Sequence, residues 1–200
     1  WGTWSGLPLR LARVSFTGDR SYEISIRQDQ AAPLWRALLS ACRAAGGGPI
    51  GIEALMILRA EKGYIVIGKD SDGMTRPMDL GVSGPLKSKQ VEFIGKRSLL
   101  TDEAQRGDRN QLVGLTPMDG LGLLPVGAHG LDLSGAPRSI GYVTSSHPGA
   151  GQDAPVALAL IERGASRHGE VITLHHLGQR RQARITPPCA FDPKGDRLNA

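Results

Sequence analysis

The sequence predicts an α+β fold in two parts: a mixed α/β region, residues 1–107, and an all-β module, residues 108–200. In the first part, strand-like and helix-like hydrophobic periods follow one another. After the polar turn at residues 107–110 the sequence pattern changes to short apolar runs separated by glycine and proline. Such runs are typical of a small antiparallel barrel or sandwich.

Two strands joined by a tight turn are the first predicted elements. Residues 9–16 and residues 22–27 both alternate with the period of a strand. Between them, Thr17-Gly-Asp-Arg20 supplies residues that favour turns.

Glu23 is a lone carboxylate in the second of these strands. In a period of two it shares a face with Ser21 and Ser25, opposite Tyr22. Spacing alone therefore indicates a solvent-facing side chain. The alternative is that the carboxylate orients a polar small molecule.

Two helices are expected next, over residues 31–45 and 51–62. Pro33 is tolerated in a first helical turn, and an apolar stripe predicts the buried face of the first helix. That stripe consists of Trp35, Leu38, Leu39 and Cys42. An apolar extended segment, residues 63–69, and a short helix near residues 95–100 are predicted after them.

Arg59 lies near the end of the apolar stripe of the second helix, and Gly63 is suited to close that helix in a left-handed conformation. One interpretation has Arg59 cover the edge of the core with its methylenes and form an ion pair with a carboxylate. The other has its guanidinium bind the carboxylate of a ligand.

The all-β module is predicted from short apolar runs with turn residues between them. These runs cover residues 111–115, 139–144, 155–161, 170–174 and 182–185.

The net charge of +5 does not predict a nucleic-acid site, because lysines and arginines are scattered and aromatic residues do not interleave with them. No apolar run approaches the length of about 20 residues that crosses a membrane. Neither Cys42 and Cys189 nor the five histidines have the spacing of a metal site, and they form no catalytic triad. We therefore expect no metal, no nucleic acid and no membrane among the partners, and a cytoplasmic protein.

Several runs, in this order along the chain, resemble the aminomethyltransferase family, which contains the glycine-cleavage T-proteins. They are Phe16-Thr-Gly-Asp-Arg-Ser-Tyr-Glu-Ile24, Leu58-Arg-Ala-Glu-Lys-Gly63, Phe93-Ile-Gly-Lys-Arg-Ser-Leu99, Gly141-Tyr-Val-Thr-Ser-Ser146 and Val156-Ala-Leu-Ala-Leu160. Within the family, Leu58–Tyr64 and the tail Phe191–Asn199 are most similar to the alpha subunits of heterotetrameric sarcosine oxidases.

The resemblance implies a folate-binding body followed by a small antiparallel β-barrel. Residues 1–107 would be the C-terminal part of the folate-binding domain, so that the chain is a fragment of a longer polypeptide. The absence of a methionine at Trp1 supports the same expectation. Glu23 would bind the pterin ring of tetrahydrofolate, and Tyr22 and Arg59 would also bind folate. Glu61 would have a structural role.

The resemblance also implies a reaction. The parent would be an oxidoreductase, in which the one-carbon unit of oxidised sarcosine passes to tetrahydrofolate and gives 5,10-methylenetetrahydrofolate. FAD or FMN and NAD would be bound elsewhere in the parent complex, whose partners are the beta, gamma and delta subunits. No residue of this chain is assigned a catalytic role, because the aspartate that such sites use is expected upstream. The fragment alone is expected to be inactive.

Two alternatives stay open. The chain could belong to an aminomethyltransferase or a dimethylglycine oxidase-like enzyme, or it could be a non-catalytic scaffold of the T-protein type. Ser21 stands where T-proteins commonly have glycine, Ile67 stands where they commonly have an aromatic residue, and residues 146–155 lack the usual Ser-Pro-Thr-Leu run. The first two departures indicate an altered pocket, whereas the third concerns the structure of the barrel more than the chemistry.

Overall fold

The computed structural model describes residues 1–150 and 154–200, except for the side chains of Pro85 and Lys87. The departure from the family pattern at residues 146–155 therefore lies partly outside the described residues.

The first half of the chain combines a small sheet with helices. Strands β1, β2 and β3 form an antiparallel sheet in that order, in which Ala12 of β2 lies opposite Glu23 of β3. Short 3₁₀ turns lie at Pro77–Leu80 and Arg97–Leu100. The strands and helices are β1 (Gly2–Trp4), β2 (Leu7–Ala12), β3 (Glu23–Ser25), α1 (Gln28–Ala44), α2 (Ile52–Glu61), α3 (Gly84–Ser88) and α4 (Asp102–Gln105).

Helix α1 begins at Gln28, before the predicted start, so that Pro33 lies inside the helix and not in its first turn. The predicted buried stripe on this helix is wrong. Trp35 is 57% exposed and Leu38 is 43% exposed, Cys42 is also exposed, and Leu34 is the buried residue. The period of the sequence reports which face is apolar, but burial also needs an element that packs on that face.

Helix α2 ends as predicted, with Gly63 in the left-handed conformation at φ +75°. The Gly63 N–H donates to the carbonyl of Ala60 at 3.0 Å, and the Tyr64 N–H donates to the carbonyl of Arg59 at 2.9 Å. These two bonds satisfy the last carbonyls of the helix in a Schellman motif. The following segment forms turns instead of the predicted extended stretch, with the N–H of Asp70 donating to the carbonyl of Val66.

The second half is a closed antiparallel barrel with the strand order β4-β7-β6-β5-β8-β9. Each predicted strand is present and continues past its predicted end, but the strands predicted from residues 155 and 170 begin one residue later. The strand β5 was not predicted, because it is short and its apolar content is a single leucine beside glycine. The strands are β4 (Asn110–Pro117), β5 (His129–Asp132), β6 (Arg138–His147), β7 (Val156–Glu162), β8 (Val171–His176) and β9 (Gln179–Thr186), and a short helix α5 (Asp196–Asn199) follows. The predicted division near residue 107 lies in the turn between α4 and β4.

The interior of the barrel is the main core of the described structure. The side chains that fill it are apolar and almost fully buried: Val113, Leu115, Leu124, Ala128, Ile140, Val143, Ala157, Ala159, Ile161, Ile172, Leu174, Ala183 and Ile185. Before residue 100 the buried apolar residues are only Leu34 and Ala60 among those described. The first half therefore exposes much of its apolar surface.

Helix α2 lies on the outside of the barrel. Ala60 packs in a second cluster with Leu112, Leu158 and Leu160, which belong to β4 and β7. This packing brings the end of α2, including Arg59, against the neighbouring strand β6. Among the described residues no helix is both long and apolar enough to span a bilayer.

Candidate functional site

Glu23 opens strand β3 at the edge of the small sheet, and its side chain is exposed, as the spacing predicts. Within residues 1–150 and 154–200 its carboxylate makes no hydrogen bond or ion pair. Tyr22, directly before it, is 52% exposed. The edge of the sheet therefore presents a carboxylate and a phenol whose hydrogen-bonding capacity is free for a ligand.

The turn before this strand is ordered by its own hydroxyl groups. The Gly18 N–H donates to Ser15 Oγ at 2.9 Å, and the Ser21 hydroxyl donates to the carbonyl of Asp19 at 3.1 Å. Such side-chain bonds to the backbone stabilise turns. These bonds therefore stabilise the backbone that leads into Tyr22 and Glu23.

Arg59 is fully buried at the end of α2. Its Nη1 donates to Asp70 Oδ2 at 2.6 Å and to the carbonyl of Tyr64 at 3.1 Å, while its Nη2 donates to Ser145 Oγ at 2.7 Å. Both side chains of the Arg59–Asp70 ion pair have no exposed surface. This arrangement is the ion pair with a carboxylate that was one of the two interpretations of Arg59.

Asp70 is surrounded by hydrogen-bond donors. Its Oδ1 accepts from the hydroxyls of Thr144 and Ser145, each at 2.6 Å, and its Oδ2 accepts from the Val66 N–H at 2.9 Å. Burial works against the charged carboxylate, but the Ser145 and Thr144 hydroxyls, the Val66 N–H and Arg59 outweigh it and hold the pKa of Asp70 below its usual range.

An irregularity in β6 makes this geometry possible. Neighbouring residues of a regular strand point to opposite faces, so Thr144 and Ser145 would not reach one carboxylate oxygen. The register between β6 and β7 shifts between Val143 and Ser145, as in a β-bulge. The bulge places both hydroxyls on the side of Asp70.

Glu61 has the structural surroundings that the sequence suggested. Its side chain is 2% exposed, and its carboxylate accepts the backbone N–H of Ala150 at 2.7 Å. It thus ties the end of α2 to the segment that follows β6.

The predicted site residues do not all meet. Among the described side chains, Arg59 has no hydrogen bond or ion pair with Tyr22 or Glu23. Its contact with folate stays a prediction. The sequence reasoning missed Asp70, Thr144 and Ser145 as partners of Arg59. The lone aspartate after an apolar segment, and a Thr-Ser-Ser run inside a predicted strand, were the available signals.

A cavity of about 560 Å³ lies elsewhere, on the barrel between β5, β6 and β8. Its charged side chains are largely paired with one another, such as Arg138 with Glu162 and Arg167 with Glu170. Among its described side chains, the cavity therefore does not present a cluster of unpaired charges that would bind an ion of the opposite sign. In the described part of the chain no group of three or more His, Cys, Asp or Glu side chains is placed to hold a metal ion.

Two domain families match the chain. Residues 1–90 match the family described as the GCVT N-terminal domain, and residues 110–192 match the glycine cleavage T-protein C-terminal barrel domain.

Curated relatives match over most of this chain but only part of their own length. The chain is 36% identical to the sarcosine oxidase subunit alpha of Corynebacterium sp. (strain P-1) and 35% identical to that of Rhizobium meliloti (strain 1021), over 96% and 94% of the chain. It spans 20% of each of these relatives. It is 32% identical to the aminomethyltransferase of Halothermothrix orenii (strain H 168 / OCM 544 / DSM 9562) over 86% of the chain and 47% of the relative.

A solved structure has the same fold. The crystal structure of the glycine cleavage system aminomethyltransferase T from Bartonella henselae superposes with a TM-score of 0.77 at 24% identity, covering 92% of this chain and 50% of that one.

Proposed function

Since this chain belongs to the glycine cleavage T-protein family, we propose that its first half contributes a tetrahydrofolate site in which the Glu23 carboxylate binds the pterin ring. The observation that carries the proposal is the exposed Glu23 carboxylate at the edge of β3, without an ion pair or hydrogen bond among the described residues.

The chemistry of a carboxylate suits this role. The pyrimidine edge of a pterin offers two parallel N–H groups, and a carboxylate accepts both in charge-assisted hydrogen bonds. A carboxylate already held by a protein cation would have less capacity left for the ligand. Tyr22, half exposed beside Glu23, supplies a ring and a hydroxyl to the same ligand.

The burial of Arg59 supports an indirect contribution to folate binding. Its guanidinium is engaged by Asp70, Tyr64 and Ser145, and these partners are distributed over the segment after α2 and the barrel. A direct bond from Nη1 or Nη2 to a ligand would compete with a buried ion pair. Arg59 thus supports the site as part of the framework.

The reaction that we propose is that of a sarcosine oxidase alpha subunit. The one-carbon unit of oxidised sarcosine is transferred to tetrahydrofolate, giving 5,10-methylenetetrahydrofolate. The similarity to two such subunits over at least 94% of this chain supports this choice. FAD or FMN and NAD are then bound outside this chain, and the beta, gamma and delta subunits are partners of the parent. The residues of this chain bind and orient folate, and none is assigned to bond making. The cytoplasmic location expected from the sequence stays a prediction.

The exposed apolar surface of the first half supports a site that needs further protein. Trp35 and Leu38 of α1 and Ile24 of β3 are exposed, in a region with few buried apolar residues of its own. The chain spans about a fifth of the sarcosine oxidase alpha subunits and about half of the aminomethyltransferase. We therefore expect this fragment alone to be inactive.

Two other functions keep support from specific observations. Similarity to an aminomethyltransferase over 86% of the chain fits the same folate site in an aminomethyltransferase or a dimethylglycine oxidase-like enzyme. The burial of Arg59 fits a scaffold of the T-protein type, whose pocket no longer binds folate.

Calorimetric titration of tetrahydrofolate into the full-length parent and into this fragment separates these functions. We expect the parent to bind and the fragment to bind much more weakly. Formation of 5,10-methylenetetrahydrofolate from sarcosine and tetrahydrofolate by the intact complex then identifies the parent reaction. Binding to neither protein would overturn the proposed site and leave the scaffold.

A further inference from the structure

We propose that Lys62 and Asp192 are positioning residues for Glu23. Together with the other residues of the C-terminal clamp, defined as residues 190–192 and 196–198, they hold the turn that leads into β3 in the place from which Glu23 binds pterin. This inference rests on the proposed function and deepens it. It concerns residues that make no contact with the ligand themselves.

The clamp is attached to the end of α2. The N–H groups of Ala190 and Phe191 both donate to the carbonyl of Glu61, at 2.8 and 3.0 Å. At Gly63 a side-chain Cβ would lie 2.8 Å from the carbonyl carbon and oxygen of Pro188. The tail therefore packs directly against the backbone at the end of α2.

A buried ion pair connects the clamp to Lys62. The Lys62 ammonium lies 3.0 Å from Asp192 Oδ2 and also donates to the Asp192 carbonyl, and the two side chains are 8% and 10% exposed. Asp192 has a left-handed backbone at φ 50°, and its carboxylate accepts the N–H of Asp196 at 3.0 Å and that of Arg197 at 3.3 Å. The Asp192 carboxylate therefore accepts backbone hydrogen bonds within the clamp and also forms the ion pair with the Lys62 ammonium.

The methylenes of Lys62 pack under the turn before β3. Gly18 in that turn is buried with φ +87°, and a Cβ built there would lie 2.6 Å from Lys62 Cγ and 2.8 Å from Cε. The turn backbone thus rests on the lysine side chain. Since Asp192 holds the other end of that side chain, the clamp determines where the turn sits.

The clamp also reaches the sheet at two further points. The Arg197 guanidinium forms an ion pair with Asp19 at 2.8 Å, and Arg13 donates to the carbonyl of Leu198 at 3.0 Å. Arg13 follows β2 directly, and β2 pairs with β3 so that Ala12 lies opposite Glu23. The turn before β3 and the end of β2 are therefore both connected to the tail.

This arrangement matters for the ligand because two parallel hydrogen bonds depend strongly on the direction of the carboxylate. A site works when its side chains are held in the productive geometry by their neighbours. Glu23 itself is exposed and has no partner among the described residues, so the backbone fixes the position of its Cα and the direction of its Cα–Cβ bond, from which the carboxylate reaches the ligand. The backbone is in turn held by Lys62 and Asp192.

The test uses the full-length parent with Lys62→Met, Asp192→Asn and the matched control Lys194→Met. Methionine keeps an unbranched apolar side chain of similar length under Gly18 and removes the charge, and asparagine tolerates the left-handed backbone of Asp192. Lys194 is an exposed lysine of the same tail without an ion pair among the described residues. Each substitution is also made in a Glu23→Ala background, and tetrahydrofolate affinity is measured by calorimetry.

We expect Lys62→Met and Asp192→Asn each to weaken tetrahydrofolate binding at least about fivefold in the Glu23 protein. In the Glu23→Ala background, where only Tyr22 still depends on the turn, each should have a clearly smaller effect. Lys194→Met should leave the affinity unchanged. An equal loss in both backgrounds would indicate a general structural effect and overturn the inference. An unchanged affinity in both Lys62→Met and Asp192→Asn would overturn it as well.

Thermal unfolding of each variant shows which proteins are folded at the titration temperature. If Lys62→Met does not fold, Asp192→Asn alone decides the result, and Lys62→Arg, which keeps the charge, should restore part of the affinity. An unchanged affinity in Glu23→Ala by itself would overturn both the pterin contact and this inference. A loss in Glu23→Ala without a loss in Lys62→Met and Asp192→Asn would overturn this inference and leave the pterin contact of Glu23 standing.

Discussion

Arg59 Nη1 and Asp70 Oδ2 lie 2.6 Å apart in an ion pair whose two side chains have no exposed surface. Asp70 also accepts hydroxyl hydrogen bonds from Thr144 and Ser145, so the pair joins the end of α2, the following turn and the barrel strand β6. A buried charge pair of this kind is costly to break on one side only, because the remaining charge loses its partner without regaining water.

Removal of one partner should therefore destabilise the protein strongly. We expect Arg59→Met or Asp70→Asn to lower the free energy of unfolding by about 3 kcal/mol or more, and the double variant to lose less than the sum. Urea unfolding measures both. Arg27→Ala, which breaks an exposed pair with Asp29, is the control and should change stability by about 1 kcal/mol or less. Additive losses at Arg59 and Asp70 would contradict the coupling.

The hydroxyls that meet Asp70 should contribute separately. We expect Ser145→Ala to cost about 1–3 kcal/mol, because it removes a donor to Asp70 and an acceptor for Arg59 inside the protein. Ser25→Ala, at an exposed position of β3, is the matched control and should be nearly neutral. Equal unfolding free energies for the two variants in urea would show that the Ser145 bonds have no net effect.

The same carboxylate predicts a dependence of stability on pH. Hydrogen bonds and Arg59 lower the pKa of Asp70 in the folded protein below its ordinary value of 3.8. The folded state therefore binds fewer protons there than the unfolded state. The stability from this shift is present above the unfolded pKa and is lost as the pH falls through the folded pKa. Urea unfolding from pH 7 down to about pH 3 should show a decline in the wild type that is smaller in Asp70→Asn. Parallel profiles for the two proteins would rule out this contribution of Asp70.

Glu23 is expected to affect ligand binding and not stability. In the full-length parent, Glu23→Ala should weaken tetrahydrofolate binding by about 2 kcal/mol or more, because the pterin N–H groups lose a charged acceptor. Glu23→Gln should lose less, since one acceptor oxygen stays. Glu53→Ala removes another exposed carboxylate and should leave the affinity unchanged. Calorimetry measures the affinities, and an unchanged value for Glu23→Ala would remove this residue from the site.

Substitutions at Gly63 and Gly68 distinguish the stability cost of backbone strain from the cost of lost packing against the C-terminal tail. Gly63 and Gly68 have positive φ values of 75° and 81°, but only Gly63 lies against Pro188, while a Cβ at Gly68 meets nothing within 4 Å. We expect Gly68→Ala to cost about 1–2 kcal/mol from strain alone and Gly63→Ala to cost clearly more. Thermal or urea unfolding compares the two. A Gly63→Ala variant as stable as Gly68→Ala would mean that the tail moves away without loss.

Local patterns predicted much of this fold because their causes lie within a few residues. Short apolar runs and turn residues located five of the barrel strands, and a glycine after an apolar helix predicted the cap at Gly63. The strand β5 carried too weak a pattern. The apolar stripe of α1 was found correctly as a pattern, but its burial was not, since a period does not reveal what packs on a face.

For the candidate site, too, some features followed from local sequence and others only from the tertiary structure. The sequence by itself determined that Glu23 faces solvent next to a tight turn, and that Arg59 ends an apolar helix. Only the tertiary structure decided that Arg59 is bound to Asp70, that a β-bulge turns Thr144 and Ser145 to the same carboxylate, and that the tail meets Lys62. The physical reason is that a strand or a cap is set by adjacent residues, whereas the partner of a buried charge depends on which distant segments the fold brings together.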